Sequence, residues 1–460
     1  MIAILCTLLM IVIVIAGVVK KYHPVSVFFS VSLVSLIIWT LVTGKSAVGD
    51  ATTGNLILDV FEYIYSVIKT QLSGTMLVCA SVFGYVGFMN KIGASQSFTA
   101  IVAKPLSKIK QPYVLLGMLI IVEACLKLVI PSAASLVALL FAILYPLFAA
   151  LGCSGATIAS AFVLGTCITW GPADAGVVLS LSLSGADMSV SDFFMNYQLL
   201  TCLIELVVMA VVFVMLAIRY DKKNGVQKVE LTEEMIRKQQ AAMASTAPKY
   251  YWVMPLFPLV LIILFSGKVF PITLSVVSVV VLSYVLSDII HLASNVKNFK
   301  TALLDVQAGL NELGRFLGGM GFLVVGGAIF AGAISKVGGM TLLVTMLNNM
   351  GGGTVFLCAL GVIVGIVVVA CTGSYTANLN IFVPFMVSVG TITGVDLAAM
   401  AFLGNMACGL GSALTPVSAT MLFVTGECKV DFPIVLKRNI IPVLSAAVAG
   451  FVVTMIMHVL

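Results

Sequence analysis

Charge is what this sequence has least of. Only 9% of its 460 residues are Asp, Glu, Lys or Arg, and three are His. A soluble domain carries roughly a quarter charged residues. A soluble chain of this length would fold as about three domains with far more polar surface. Ten Cys occur, but no two are spaced C-x-x-C, and nearly all sit in apolar runs (Cys6, Cys79, Cys125, Cys202, Cys358). Neither a disulfide framework nor a zinc site is indicated. The G-x-x-x-x-G-K-[ST] loop that cradles ATP phosphates is missing. So are basic stripes interleaved with aromatics, which excludes nucleic acid as a partner.

What fills the chain is apolar: 61% of residues are hydrophobic, and mean hydropathy is +1.18. The sequence predicts an all-α polytopic membrane protein, with the lipid bilayer as its surround and no enzyme activity of the soluble kind. Ile2 to Val19 is an unbroken apolar run whose positive charges, Lys20 and Lys21, follow it. A cleavable signal has them in front, so this run is expected to stay as a first helix.

Crossings are expected at 2–19, 24–43, 72–92, 155–183, 196–218, 250–266, 270–290, 316–335, 396–424 and 439–459. Two further stretches, 112–151 and 354–391, are interrupted near the middle and are expected to enter and leave on one side as re-entrant hairpins. With both termini outside, the inner loops hold 19 Lys and Arg. The outer loops hold four: Lys45, Lys69, Lys268 and Lys336. That asymmetry is the positive-inside pattern. Residues 219–249, with Arg219, Asp221, Lys222 and Arg237, are expected to form a solvated cytoplasmic linker between two halves.

The halves resemble each other. Asn90-Lys91-Ile92-Gly93 matches Ser335-Lys336-Val337-Gly338 at an offset of 245, and Thr169-Trp170-Gly171-Pro172 matches Ala413-Leu414-Thr415-Pro416 at 244. Each half has five crossings and one hairpin. An odd number of crossings inserts the second half upside down, as in the inverted repeats of secondary transporters.

Chemistry in hydrocarbon concentrates where helices break. Four breaks stand out: Pro131-Ser132-Ala133-Ala134-Ser135, Thr169 to Asp174, Thr372 to Asn378, and Ser412 to Ser418. Helix N-termini at such breaks suit carboxylates, and hydroxyl, amide and carbonyl oxygens suit Na+. Candidate substrate-binding residues are Ser132, Ser135, Thr169, Ser374, Thr376, Asn378, Thr415, Ser418 and Lys127. Candidates for a coupling ion, Na+ or H+, are Ser132, Asp174, Thr372 and Asn378. Glu123 and Lys127 stand four apart on one helix face and are expected either to pair or to free Lys127 for substrate. Asp174 either binds an ion or caps the helix after it. Glu205 is alone in an apolar helix.

The run from Gly93 to Asn196, with Lys104-Pro105-Leu106, the Pro131–Ser135 break and Met188-Ser189-Val190-Ser191-Asp192-Phe193, resembles the DcuC family of C4-dicarboxylate carriers. So do Thr372-Gly373-Ser374 and the tract from Gly409 to Ser418. The resemblance covers nearly the whole chain. It implies a homodimeric secondary transporter of the ion-transporter superfamily in a bacterial cytoplasmic membrane. Hairpins and broken helices would there move as a transport domain against a scaffold. Residues 1–111 and 250–353 would be scaffold, and 112–218 and 354–460 transport domain, with 219–249 between them. The substrate would be a small carboxylate of the succinate, fumarate or malate type. The chain departs from the family in having Ser412 where an Arg is expected, and in a shorter hairpin arm from Ser374 to Pro384. Those departures keep another small anion or an amino acid open as substrate. From different classes, a channel and a rhomboid-like protease stay open, the latter on Gly152-Cys153-Ser154-Gly155 with Ser154 as nucleophile.

Overall fold

The computed structural model describes residues 2–20, 22–106, 109, 111–224, 233, 237, 247–265, 270, 272, 274–349 and 353–459. Among these it is helical throughout, with no strand. The apolar runs leave no other solution, because backbone groups in lipid must be satisfied within their own segment.

In the first half, α1 is Ile2–Val19, α2 Pro24–Thr43, α3 Leu56–Gln71, α4 Leu77–Lys91 and α5 Ala94–Leu106. The first hairpin is α6 (Pro112–Lys127) and α7 (Ala133–Ala150). The first broken helix is α8 (Gly155–Cys167) and α9 (Ala175–Ser184), followed by α10 (Val190–Phe193) and α11 (Leu199–Asn224). The second half holds α12 (Phe257–Leu264), α13 (Val276–Ser294), α14 (Phe299–Phe316), α15 (Phe322–Val337) and α16 (Gly339–Leu347). Then come the second hairpin, α17 (Gly353–Thr372) and α18 (Tyr375–Thr393), and the second broken helix, α19 (Leu397–Gly411) and α20 (Ala419–Cys428). The last helix is α21 (Phe432–His458).

Two expected crossings start earlier than their apolar runs suggested. The segment placed at 72–92 begins at Leu56, where α3 joins α4 through a π turn at Leu72–Met76. The segment placed at 316–335 begins at Phe299, where α14 joins α15 through a π turn at Leu317–Gly321. The two π turns lie 245 residues apart, the spacing of the sequence matches. Both preceding helices are amphipathic, and their charges made them look like loops.

Ten helices among the described residues are long and apolar enough to cross a membrane. They are not the ten expected crossings, because they include three hairpin arms (α7, α17 and α18) and omit the N-terminal helix, the first broken helix (α8 and α9) and residues 249–264. The linker also differs from expectation. Helix α11 runs to Asn224, so Arg219, Asp221 and Lys222 are helical, and Asp221 is buried. Most of 225–246 lies outside the described residues, as do Lys108 and Lys268.

Glycines set how the helices approach. A Cβ on Gly84 of α4 would sit 3.1 Å from the Gly309 carbonyl of α14, and one on Gly87 would enter the Glu312 side chain. Small residues at such crossings let helices meet closely without a hydrophobic drive between them. Helix α15 packs on α2, α5 on the 3-10 turn at Lys249–Leu256, and α1 on α16. The hairpins and broken helices of both halves pack mainly on each other and on α11 and α21.

Candidate functional site

The four breaks come together through specific contacts. At the first hairpin, α6 ends at Lys127 and α7 starts after Ser132. Leu128, just past α6, fills the space over Gly171 in the first broken helix, where φ is +98° and a Cβ would lie 2.5 Å from Leu128 Cδ2. Only glycine fits there without strain. The first break runs from Ile168 to Asp174. Trp170 donates its indole N–H to the Ala124 carbonyl at 2.9 Å, and Gln198 accepts the Gly171 N–H at 3.1 Å.

At the second hairpin, Gly373 (φ +74°) lies against Thr415 and Val417 of the second break. Tyr375, next to it, sits over Gly176 at the start of α9 and donates its hydroxyl to Asn405 Oδ1 at 2.6 Å. Asn405 in turn donates to the Thr169 carbonyl at 2.9 Å. Thr169, Tyr375 and Asn405 therefore join the first break, the second hairpin and the helix leading into the second break.

The helix starts at the breaks differ in how their free N–H groups are met. Asp174 Oδ1 accepts from Gly176 N at 2.8 Å and Val177 N at 3.2 Å, so it caps α9, one of the two roles the sequence left open for it. Ser374 accepts from Ala377 N, and Ser418 from Met421 N. The start of α7 has no such side-chain cap, because the Ser132 hydroxyl turns to Ser135 Oγ at 3.0 Å. Ser132 and Ser135 also line a cavity of about 800 Å³, whose other walls include Asn90, Lys91, Asn311 and Arg315 on α4 and α14.

The other candidates are placed as follows. Asn378 is buried and donates to Thr372 Oγ1 and to the Ser374 carbonyl, both at 2.6 Å, which holds the hairpin turn together. Thr376 is half-buried on the same turn. Thr415 is fully buried, and its hydroxyl faces Val417 N at 3.4 Å. Ser412 bonds back to the Gly409 carbonyl at 2.6 Å. Of these residues only Ser132 and Ser135 line the cavity.

Lys127 does not pair with Glu123. Its ammonium donates to the carbonyls of Thr166 (2.9 Å) and Ile168 (3.0 Å) and lies 3.7 Å from Asp174 Oδ2. These carbonyls are left over where α8 ends, and a cation there meets the negative end of the helix dipole. The break thus competes for Lys127 better than the carboxylate one turn away. Glu123 is fully buried with no hydrogen-bond partner on either oxygen. Glu205 is buried against Gly450, and its Oε1 also lacks a partner.

Ser154 is not a nucleophile in this arrangement. It caps α8, bonds Thr157, and donates to Asp221 Oδ1 at 2.9 Å, which pairs with Arg438 at 3.0 Å. The histidines are elsewhere: His291 bonds Tyr251 and Asp305, His458 stacks on Tyr197, and His23 precedes α2. Among the described residues no histidine reaches the serine, and Asp221, the carboxylate that does, is held by Arg438. Asn405, Tyr375 and Gln198 escaped the sequence reading, although a lone amide such as Asn405 in an otherwise apolar helix was a usable signal.

Comparison with known proteins bears on this geometry. The solved structure of MtrF from Neisseria gonorrhoeae, described as illuminating a class of antimetabolite efflux pumps, shares the fold with a TM-score of 0.64. The match has 12% identity and covers 94% of each chain. The YdaH transporter of Alcanivorax borkumensis matches with a TM-score of 0.61 and 13% identity, over 94% of this chain and 98% of that one. Among curated proteins, the probable anaerobic C4-dicarboxylate transporter DcuC of Vibrio cholerae is 28% identical over 446 residues, 96% of this chain and 94% of that protein. The anaerobic C4-dicarboxylate transporter DcuC of Escherichia coli K12 is 26% identical over 451 residues, 97% and 95% of the two chains. These relatives are named as transporters, in agreement with the expectation that the chain is no enzyme. A family model described as C4-dicarboxylate anaerobic carrier matches residues 2–459, and this integral membrane protein belongs to that family, DcuC.

Proposed function

We propose that the chain is a secondary transporter of small carboxylates, foremost C4-dicarboxylates of the succinate, fumarate and malate type. It would work in a bacterial cytoplasmic membrane as a homodimer, ion-coupled or exchanging, by elevator-like alternating access. The observation that carries the site is the uncapped start of α7 beside the Ser132–Ser135 cavity. Free N–H groups and the positive end of a helix dipole there suit a carboxylate. The substrate class is taken from the names of the relatives.

An inverted repeat is supported by the recurring element order and by the π turns 245 residues apart. The packing supports the split into 1–111 with 250–353 as scaffold and 112–218 with 354–460 as transport domain. With both termini outside, as proposed, Lys91 in the wall of the Ser132 cavity lies toward the cytoplasm, which supports reading the state as inward-facing. Na+ or H+ remains the proposed coupling ion.

One observation favours a second reading, a carrier of a smaller anion. Among the described residues the buried cations are Lys127 and Arg438, and both are already paired. A dianion would then rely on helix N-termini, or on a bound Na+, for its second charge. Counterflow of labelled succinate in proteoliposomes, competed by mono- and dicarboxylates with and without Na+, separates the two. Competition by monocarboxylates alone would sink the dicarboxylate reading.

A further inference from the structure

Two carboxylates compete for one lysine in the core of the first half. Glu123 is on α6, fully buried, and wedged against α8 where a Cβ on Gly165 would overlap its carboxyl. Neither of its oxygens has a hydrogen-bond partner. An ionised carboxylate without a partner is too costly to keep in a dry interior, whereas the neutral acid is tolerable. Lys127 is one helical turn further along the same face, within reach by a rotamer change, but its ammonium is turned to Asp174 and to the carbonyls of Thr166 and Ile168.

The two acids are not equivalent. Asp174 keeps two backbone donors, Gly176 N and Val177 N, whatever Lys127 does. Glu123 has no donor, so it can be ionised only when Lys127 turns to it. The other ionisable groups facing these three residues are Cys167 on α8, Cys202 and Glu205 on α11 and, on the Asp174 side, Cys79 on α4 and Tyr375 on α18. From α7 comes only Tyr145, which points to the Glu427 carbonyl, and from α5 only Lys104, near the chain's entry into α6. Among these groups Lys127 is the one cation placed to compensate Glu123.

We propose that Glu123 is a proton-binding site of the transport cycle, and that Lys127 is its switch, trading Asp174 for Glu123 when the proton leaves. In that step the O–H bond of the Glu123 carboxyl breaks and the proton passes to water. The remaining carboxylate is met by the Lys127 ammonium, and Asp174 falls back on its two N–H donors. Protonation reverses each move, so the two arrangements differ by one proton. Because Lys127 also holds the last carbonyls of α8, its departure changes the break beside Thr169, which ties the proton to the candidate substrate site. This assignment rests on the proposed reading of the chain as a coupled carrier.

The test uses the full-length protein in liposomes loaded with a pH-sensitive dye. Labelled-succinate counterflow and succinate-driven proton movement are read in the wild type, Glu123→Gln and Glu205→Gln. Glu123→Gln imitates the neutral acid, so it should keep counterflow and lose proton movement, while Glu205→Gln keeps both. Wild-type proton movement in Glu123→Gln, or its loss only in Glu205→Gln, overturns the assignment. Succinate counterflow without proton movement in the wild type overturns it too and leaves the carrier reading standing. Absence of counterflow in the wild type overturns both. If Glu123→Gln does not fold, Glu123→Asp keeps a carboxyl on a shorter arm. The pH profile of proton movement must then shift, and an unchanged profile refutes the role.

Discussion

Asn405 donates its amide to the carbonyl of Thr169 at 2.9 Å, joining the second broken helix to the first across 236 residues of chain. Its Oδ1 accepts the Tyr375 hydroxyl, so one fully buried carboxamide serves two polar groups. Asn405→Leu removes both bonds and leaves the Thr169 carbonyl unmet. A loss of about 1–3 kcal/mol per orphaned buried group is expected, seen as a lower melting temperature in detergent. A matching loss of succinate affinity would place this link at the site. An unchanged melting temperature would mean that the two breaks are held together by something else.

Gly176 tests the contact between the second hairpin and α9. A Cβ there would land on the Tyr375 hydroxyl. Gly176→Ala should therefore displace the hairpin tip and slow transport, with the helical content unchanged. Adding Tyr375→Ala makes room again. Recovery of binding in the double variant, read by calorimetry, would confirm the steric cause, and no recovery would assign Gly176 a different role.

The breaks were legible in the sequence because Pro, Gly and hydroxyl residues interrupt otherwise unbroken apolar runs. Residues such as Pro131, Gly171, Gly373 and Pro416 fell where the chain does leave helical geometry. The long helices were less legible. Asp59, Glu62 and Lys69 dilute the hydropathy of α3, and Asp305, Glu312 and Arg315 do the same for α14, so both helices looked like loops. Pairings across the chain were not legible at all. The spacing of Glu123 and Lys127 suggested a pair, but the carbonyls at the end of α8 are invisible in a sequence and win the lysine. Of the candidate site, the cap at Asp174 was one of two readings its residue type allowed, while the caps at Ser374 and Ser418 and the partners of Asn405 needed the fold.

Asn378 and Ser135 were both candidates at hairpin tips, and they should now behave differently. Asn378 holds its turn through Thr372 and the Ser374 carbonyl. Asn378→Ala should cost stability, by about 1–3 kcal/mol, and weaken binding with it. Ser135 faces the cavity and its described partner is Ser132. Ser135→Ala should leave the melting temperature in place and change succinate affinity alone. Loss of stability without loss of affinity in Ser135→Ala would remove it from the site.

Asp221 and Arg438 stood in a presumed linker and a presumed loop, yet they form a buried ion pair at 3.0 Å. Ser154 and Thr157 at the start of α8 donate to Asp221, and so does Tyr113 of α6, while the Arg438 guanidinium lies 5.4 Å from the Tyr220 ring centre. The pair therefore ties α11 and α21 to the start of α8, at the end opposite the break. Removing one partner leaves a buried charge alone, which costs about 3–5 kcal/mol. Asp221→Leu and Arg438→Met should each fall by that order in thermal or denaturant unfolding. The double variant leaves no unpaired charge, and Ser154 and Thr157 still have each other at 2.8 Å, so it should recover most of the loss. If each single variant is as stable as the wild type, water reaches the pair and the lock is absent. If the double variant is as unstable as the singles, the hydroxyls around Asp221, not the charge of Arg438, hold these helices together.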